Sequence, residues 1–475
     1  MPTALTAGLA RFVADLRFED IPAEARECIA IGFTDCAGVM IAGSSEESVR
    51  IVTSTLAPAP GEATLVFGPT SASALEAALI NGTAAHALDY DDVAQRGHPS
   101  AVLVPAILAE AQALGASGQD MMLAYAAGYE TWAELARRDP DQHHEKGWHP
   151  TGIFGAIGAA AACASLRKLD PKKAAHAIAL GASQSAGVMA NFGTMTKPFH
   201  AGRSAQSGVL AARLAANGFT ASPDALEHPQ GFLSAVSPKG RVDLELSLEA
   251  GRQWKILADK LSIKKYPLCY CTHRALDAML DLTQEQKIDP QHVNSVTVST
   301  SRHHARILRN HAPQTGLEAK FSMEFAMASA LVARRAGLAE LTDDFVRSPQ
   351  VQALMKRVTV QPDDREDPKH PGKAPYDTVT VETSDLQRFE SAHVTHIRGG
   401  PELPLKREEL WTKFNDCLQT SPRPFPARAL FDAFMALDEV ARVDQLPGMG
   451  NAARTRAVAG ARSSASVPMK ESERL

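Results

Sequence analysis

The sequence predicts a mainly α-helical protein: a large all-helical domain, built from N- and C-terminal segments, with a smaller α+β lid domain inserted between them. Three observations lead there. Helical apolar spacing dominates the first 260 or so residues. From about Lys260 the texture changes to strand alternation, as in Val293-Asn-Ser-Val-Thr-Val-Ser and Asp377-Thr-Val-Thr-Val-Glu-Thr. After Gly399-Gly400 the helical spacing returns. The expected boundaries are 1–262 and 400–447 for the helical domain, 263–399 for the lid, and a disordered tail over 448–475, which is rich in Ala, Ser, Arg and Gly without periodicity.

Individual elements follow from local signals. Leu5, Leu9, Phe12, Val13 and Leu16 share one face of an N-terminal helix. Ile21-Pro22 opens a second helix with proline in its first turn. Helices are expected over 72–88, 101–114, 119–138, 151–169, 171–188 and 204–217, and a further cap at Ser222-Pro223-Asp224. In this half only Ala63–Phe67 suggests a strand. Gly152, Gly155 and Gly158 are poor choices for helix propensity, so close backbone packing is the better explanation. The lid has strand alternation at 293–299, 357–361, 377–383 and 389–397, and helical segments at 272–282, 318–336 and 342–348. Helices at 409–418 and 427–443 rejoin the first domain.

Composition narrows the function. With 475 residues, 45% hydrophobic and 22% charged, the chain can bury more than one core. A net charge of −5 and no basic stripe argue against nucleic acid or an anionic membrane as partner. The longest uncharged run, Thr151–Leu166, is shorter than the roughly 20 residues a bilayer requires. No secretory signal is visible, and six scattered cysteines suggest a reduced, cytoplasmic protein. Phosphate-loop, dinucleotide-binding and Gly-Xaa-Ser-Xaa-Gly motifs are absent.

The chemistry is concentrated in a few segments. Asn81-Gly-Thr-Ala-Ala-His86-Ala-Leu-Asp89-Tyr-Asp91-Asp92, followed by Gly97-His98-Pro99, places three carboxylates and two imidazoles at the end of an Ala-rich helix. Carboxylates there oppose the helix dipole, which favours a functional explanation over simple solvation. A divalent metal site is disfavoured, because adjacent Asp91 and Asp92 on a helix end would point about 100° apart. His149, between Gly147-Trp148 and Pro150-Thr151-Gly152, precedes a helix whose N-terminus could receive an anion. His143 and His144 lie in a charged loop and are expected to be exposed. Lys197-Pro198-Phe199-His200 offers an ammonium and an imidazole in a turn where no other charge appears back to Lys173. Lys264-Lys265-Tyr266-Pro267 lies at the domain boundary, where clefts form.

Taken in order with Gly97-His98-Pro99-Ser100 and Glu318-Ala319-Lys320-Phe321-Ser322, these segments resemble the MmgE/PrpD family over nearly the whole chain. The resemblance implies a homodimer that works on small di- or tricarboxylates without a metal or organic cofactor. Family activities are 2-methylcitrate dehydration, cis-aconitate decarboxylation and iminodisuccinate epimerisation. By position, Asp89, His98, His149, Lys197 and Lys264 match residues lining the family's active site. The expected catalytic set is His149, His98, Asp89 and Lys197, with His200, His86, Lys264 and Lys265 binding substrate and no residue assigned to a metal. Lys197 and Lys264 would hold substrate carboxylates, the histidines would carry protons, and Asp89 would orient an imidazole. Val93, Cys269 and Phe325 depart from the decarboxylase branch, where threonine, histidine and tyrosine stand. Each change removes a hydrogen-bonding group and argues against cis-aconitate decarboxylation. A dehydratase-type lyase is therefore expected first, an epimerase second, and a non-catalytic carboxylate-binding homologue third.

Overall fold

The computed structural model describes residues 4–368 and 374–450. It is a mainly α fold with a smaller α+β part, as the sequence predicts. In the first half the long helices are α1 (Leu5–Asp15), α2 (Ala23–Gly43), α3 (Glu47–Leu56), α4 (Ala74–Ala87), α5 (Pro99–Leu114), α6 (Gly118–Arg137), α7 (Pro150–Leu166), α8 (Pro171–Ser183) and α9 (Thr196–Ala216). Helices Arg407–Gln419 and Ala427–Met435 pack back onto α2. Buried side chains form two clusters, one drawn from residues 5–263 and 410–449, the other from 266–381.

The centre of the helical part is unusually apolar. Every residue of α7 is buried, so that helix has no polar face to offer solvent. α4 starts at Ser73, whose hydroxyl accepts the Glu76 N–H while the Glu76 carboxylate receives the Ser73 N–H. α4 and α9 meet backbone to backbone: a Cβ on Gly202 would stand 2.2 Å from Leu79 O, and one on Gly82 would stand 2.7 Å from Gly202 Cα. Among the described residues no single helix is long and apolar enough to cross a membrane.

In the α+β part, β3 (Val293–Ser301) is an inner strand of a four-stranded sheet. It pairs in parallel with β4 (Val358–Asp363) and antiparallel with β5 (Thr378–Thr383), which in turn pairs with β6 (Arg388–Glu390). Val296, Val298, Val379 and Val381 bury one face beneath helices His273–Gln286 and Met323–Ala333.

Several expectations need correction. The helical part also holds a short ribbon, β1 (Ala63–Thr64) against β2 (Ser71–Ala72). α9 starts at Thr196, so the Lys197–His200 segment is its first turn rather than a loop; proline is tolerated there because first-turn N–H groups need no helical partner. No helix follows Ser222-Pro223, where the chain makes irregular turns. The span 318–336 breaks at Ser322, which caps a new helix through the Phe325 N–H. Beyond Glu390 only the Val394–Asp377 bridge remains of the expected last strand. The expected disordered tail lies outside the described residues except for 448–450. Of those three Met449 is buried, its carbonyl accepting from Gln112 Nε2 at 3.1 Å.

Gly202→Ala should lower stability by about 1–3 kcal/mol, because the new methyl overpacks the α4–α9 contact. Denaturant unfolding checks this; an unchanged midpoint would mean the two helices can separate freely.

Candidate active site

α4 ends at Ala87, and Asp89 adopts a left-handed conformation (φ 52°) that turns the chain sharply after it. This ending sets the site. Lys197, from the first turn of α9, places Nζ 2.6 Å from Asp89 Oδ1. Lys264 reaches the same oxygen at 3.1 Å and the Asp89 carbonyl at 2.6 Å. Lys320 donates to the Ala87 carbonyl at 3.1 Å and Lys413 to the Tyr90 carbonyl at 2.8 Å. All four ammonium-bearing residues are buried, and each is paired with a carboxylate or a carbonyl between the last residue of α4 and Tyr90.

The imidazoles lie beside this floor. His86 Nδ1 is 2.9 Å from Asp91 Oδ1, and His98 Nδ1 is 3.0 Å from Asp91 Oδ2 and 2.9 Å from the Asp92 carbonyl. Both Nδ1 atoms face only acceptors, so each carries the proton and leaves a lone pair on Nε2. His98 Nε2 looks toward Asp89 Oδ1 at 4.0 Å, and His86 Nε2 is buried without a hydrogen-bond partner. Asp91, not Asp89, therefore orients the imidazoles. His149 and His200 share one hydrogen bond, Nδ1 to Nδ1 at 3.1 Å, so one ring donates and the other accepts. Phe192 packs edge-on to His149 with ring centres 4.9 Å apart, and its ring centre is 5.5 Å from Lys197 Nζ.

Burial decides the protonation states. It holds His86, His98 and His149 below the ordinary histidine range, His86 at about 3, so these rings are neutral at pH 7. Burial also opposes charge on Lys264, yet the Asp89 and Asp91 carboxylates outweigh it and raise that ammonium above its usual value. Asp89 is pulled well below the carboxylate range by Lys197 and Lys264 against the effect of burial. Asp92 behaves oppositely: burial lifts it to about 8 even though it accepts from the Ser100 N–H and hydroxyl. The floor thus gathers Lys197, Lys264 and Lys320 around Asp89 and Asp91, with burial pushing Lys320 down from the usual lysine value. A floor so rich in lysine suits an anionic guest.

His86, Asp89, Asp91 and His98 also bring ligand atoms within 4.8 Å of one another, a spacing a metal ion could use. The donor set fits one poorly: Asp89 is already neutralised by two ammoniums, and Asp91 is committed to both Nδ1–H groups.

Of the residues singled out in the sequence, His86, Asp89, His98, His149, Lys197, His200 and Lys264 converge here. Lys265 does not; it turns outward to Glu409 at 3.1 Å, beside a cavity of about 920 Å³ between the two hydrophobic clusters. The N-terminus of α7 is not an open anion site, because Gly97-His98 covers it and the His98 N–H donates to Thr151 Oγ1 at 3.2 Å. His143 is buried edge-on against Phe154 rather than exposed. Lys320, noted only within the Glu318–Ser322 segment, and Lys413 have no role assigned from the sequence. For Lys413 the signal was present: it lies on the apolar stripe of Leu410, Phe414 and Cys417, and its ammonium meets Asp35 at 2.6 Å.

Two family profiles match the chain in order, the MmgE/PrpD N-terminal domain over residues 7–245 and the MmgE/PrpD C-terminal domain over residues 266–436. The chain belongs to the MmgE/PrpD family. Among curated MmgE/PrpD relatives, cis-aconitate decarboxylase of Mus musculus is 28% identical over 356 residues, covering 71% of this chain and 70% of the mouse protein. The Homo sapiens cis-aconitate decarboxylase is 27% identical over 357 residues, 71% of each chain. That of Aspergillus terreus (strain NIH 2624 / FGSC A1156) is 24% identical over 388 residues, 75% of this chain and 78% of its own. Within this MmgE/PrpD chain the three departures occupy different places. Val93 bridges Ser262 through its backbone, Cys269 donates its N–H to the Lys320 carbonyl at 2.8 Å, and Phe325 is buried against Phe345 in the α+β part.

Asp92→Asn tests the protonation pattern. Unfolded aspartate loses its proton near 3.8 and folded Asp92 near 8, so between those values the folded state holds the extra proton. The contribution of Asp92 to stability must then fall as pH rises through that window. The variant should gain stability relative to wild type from pH 5 to pH 8 in denaturant titrations; parallel curves would contradict a protonated Asp92.

Proposed function

We propose that this chain is a lyase that acts on a small di- or tricarboxylate by proton transfer next to a carboxylate, without metal or organic cofactor. The observation that carries the reading is a buried, lysine-rich floor flanked by two separate proton-carrying units, His98 on Asp91 and His149 on His200. The decarboxylase relatives support a lyase acting on a tricarboxylate. Two proton carriers favour dehydration over decarboxylation, because removing water needs a base at carbon and an acid at the departing hydroxyl. Loss of carbon dioxide needs a proton donor only.

The steps follow from the geometry. Lys197 and Lys264 have N–H donors beyond those given to Asp89, and these bind the substrate carboxylate next to the reacting carbon. His98 Nε2 takes the proton from that carbon, and Asp91 stabilises the imidazolium that forms. The ammoniums stabilise the enolate-like charge in a dry setting where such contacts are strong. When His200 donates to His149 Nδ1, His149 carries its proton on Nε2 and gives it to the leaving hydroxyl, which departs as water as the double bond forms. The negative charge left on that ring faces the Lys197 ammonium and is quenched by the proton His98 took from carbon, so both rings end neutral. The same two units could instead exchange a proton across both faces of one carbon. That makes epimerisation the second reading.

A panel of hydroxylated and unsaturated polycarboxylates with mass detection in deuterated water separates these outcomes. Dehydration gives an alkene with loss of water, epimerisation gives solvent deuterium at unchanged connectivity, and decarboxylation loses carbon dioxide. Turnover on none of them would defeat the proposal. For the accepted substrate, His98→Gln and His149→Gln should each lower kcat by about 10²–10⁴. The acid limb of kcat/KM should lie below 6.5, since burial holds His98 down. Wild-type turnover in either variant would remove that histidine from the mechanism.

A further inference from the structure

An arginine of the α+β part reaches the rim of the site. After β3 the lid runs through the short helix Arg302–Ile307 to Arg309, whose guanidinium donates to the Phe192 carbonyl in the connection between α8 and α9. Phe192 is the residue whose ring touches both His149 and Lys197, so a single residue separates Arg309 from the catalytic floor. The chain makes room for this approach. Gly193 has φ 81°, and a Cβ there would stand 3.2 Å from Arg309 Nη2. The same rim is crossed a second time: His144, with its ring centre 6.1 Å from that of Phe192, lies within electrostatic reach of lid residue His303 and of His98 and Lys197.

Arg309 also differs from its neighbour. Arg302 is held by both oxygens of Asp364, whereas Arg309 has no carboxylate partner among the described residues and gives only one hydrogen bond, to Phe192. An exposed guanidinium at the rim of an anion site, with its charge uncompensated and most of its donors unspent, is shaped to take a planar carboxylate in two hydrogen bonds. Lys197 and Lys264 are compact point charges at the floor and serve the carboxylate beside the reacting carbon. Resting on the carboxylate-lyase reading above, we propose that Arg309 is the specificity residue of this site. It binds the substrate carboxylate farthest from the reacting carbon and thereby selects tricarboxylates over dicarboxylates.

Calorimetric titration of the full chain with propane-1,2,3-tricarboxylate and with succinate tests this, using wild type, Arg309→Gln and Arg309→Lys. Wild type should bind the tricarboxylate about tenfold or more tightly than succinate. Arg309→Gln, which keeps a donor for the Phe192 carbonyl, should lose that preference and leave succinate binding within about twofold, while Arg309→Lys restores part of it. A preference kept by Arg309→Gln, an equal loss of both ligands, or no preference in wild type would overturn the role of Arg309 alone. Wild type that binds neither acid would overturn the carboxylate reading with it.

Discussion

The C-terminal end of α4 is where the molecule is tied together. A helix ends with carbonyls that have no partner of their own and with the negative pole of its dipole. Here the last residue of the helix and the turn after it are buried, and three ammoniums take their carbonyls: Lys320 at Ala87, Lys264 at Asp89 and Lys413 at Tyr90. The three lysines come from the lid, the domain junction and the C-terminal helix. Burying them would be costly without these contacts, and losing one partner would leave a charge stranded. The contacts that hold the parts together are therefore the contacts that build the site.

The same burial sets the chemistry. With their Nδ1–H groups given to Asp91, His86 and His98 are neutral and present bare Nε2 atoms, the state a base requires. Asp92, adjacent in sequence to Asp91, keeps its proton because burial outweighs the hydrogen bonds it accepts from Ser100. Two neighbouring aspartates thus differ in protonation, Asp91 ionised and Asp92 neutral. The rigid surroundings matter for this: α4 and α9 touch through Gly82 and Gly202, which fixes Asp89 relative to Lys197.

Much of this was legible in the sequence, for a physical reason. Lys197, His149 and Asp89 stand out because they interrupt long apolar stretches where a charge or imidazole must have a partner. The fold class was legible because helical and strand spacing occupy separate parts of the chain. What the sequence hid was direction. Lys264 and Lys265 are adjacent and chemically alike, yet only Lys264 faces inward, while Lys265 meets Glu409. The orienting role expected of Asp89 passes to Asp91, because the helix stops at Ala87 and the left-handed Asp89 rotates everything after it. Helical i, i+3 geometry no longer applies beyond that point. Lys413 was missed although it sits on an apolar stripe, the same signal that exposed Lys197.

A crystal structure of the protein with a non-reacting tricarboxylate bound would test the central claim most directly. The account predicts one carboxylate within hydrogen-bond distance of Lys197 and Lys264, with the adjacent carbon facing His98 Nε2. A ligand seated instead in the cavity beside Lys265 and Arg398, with the Asp89 cluster untouched, would contradict it.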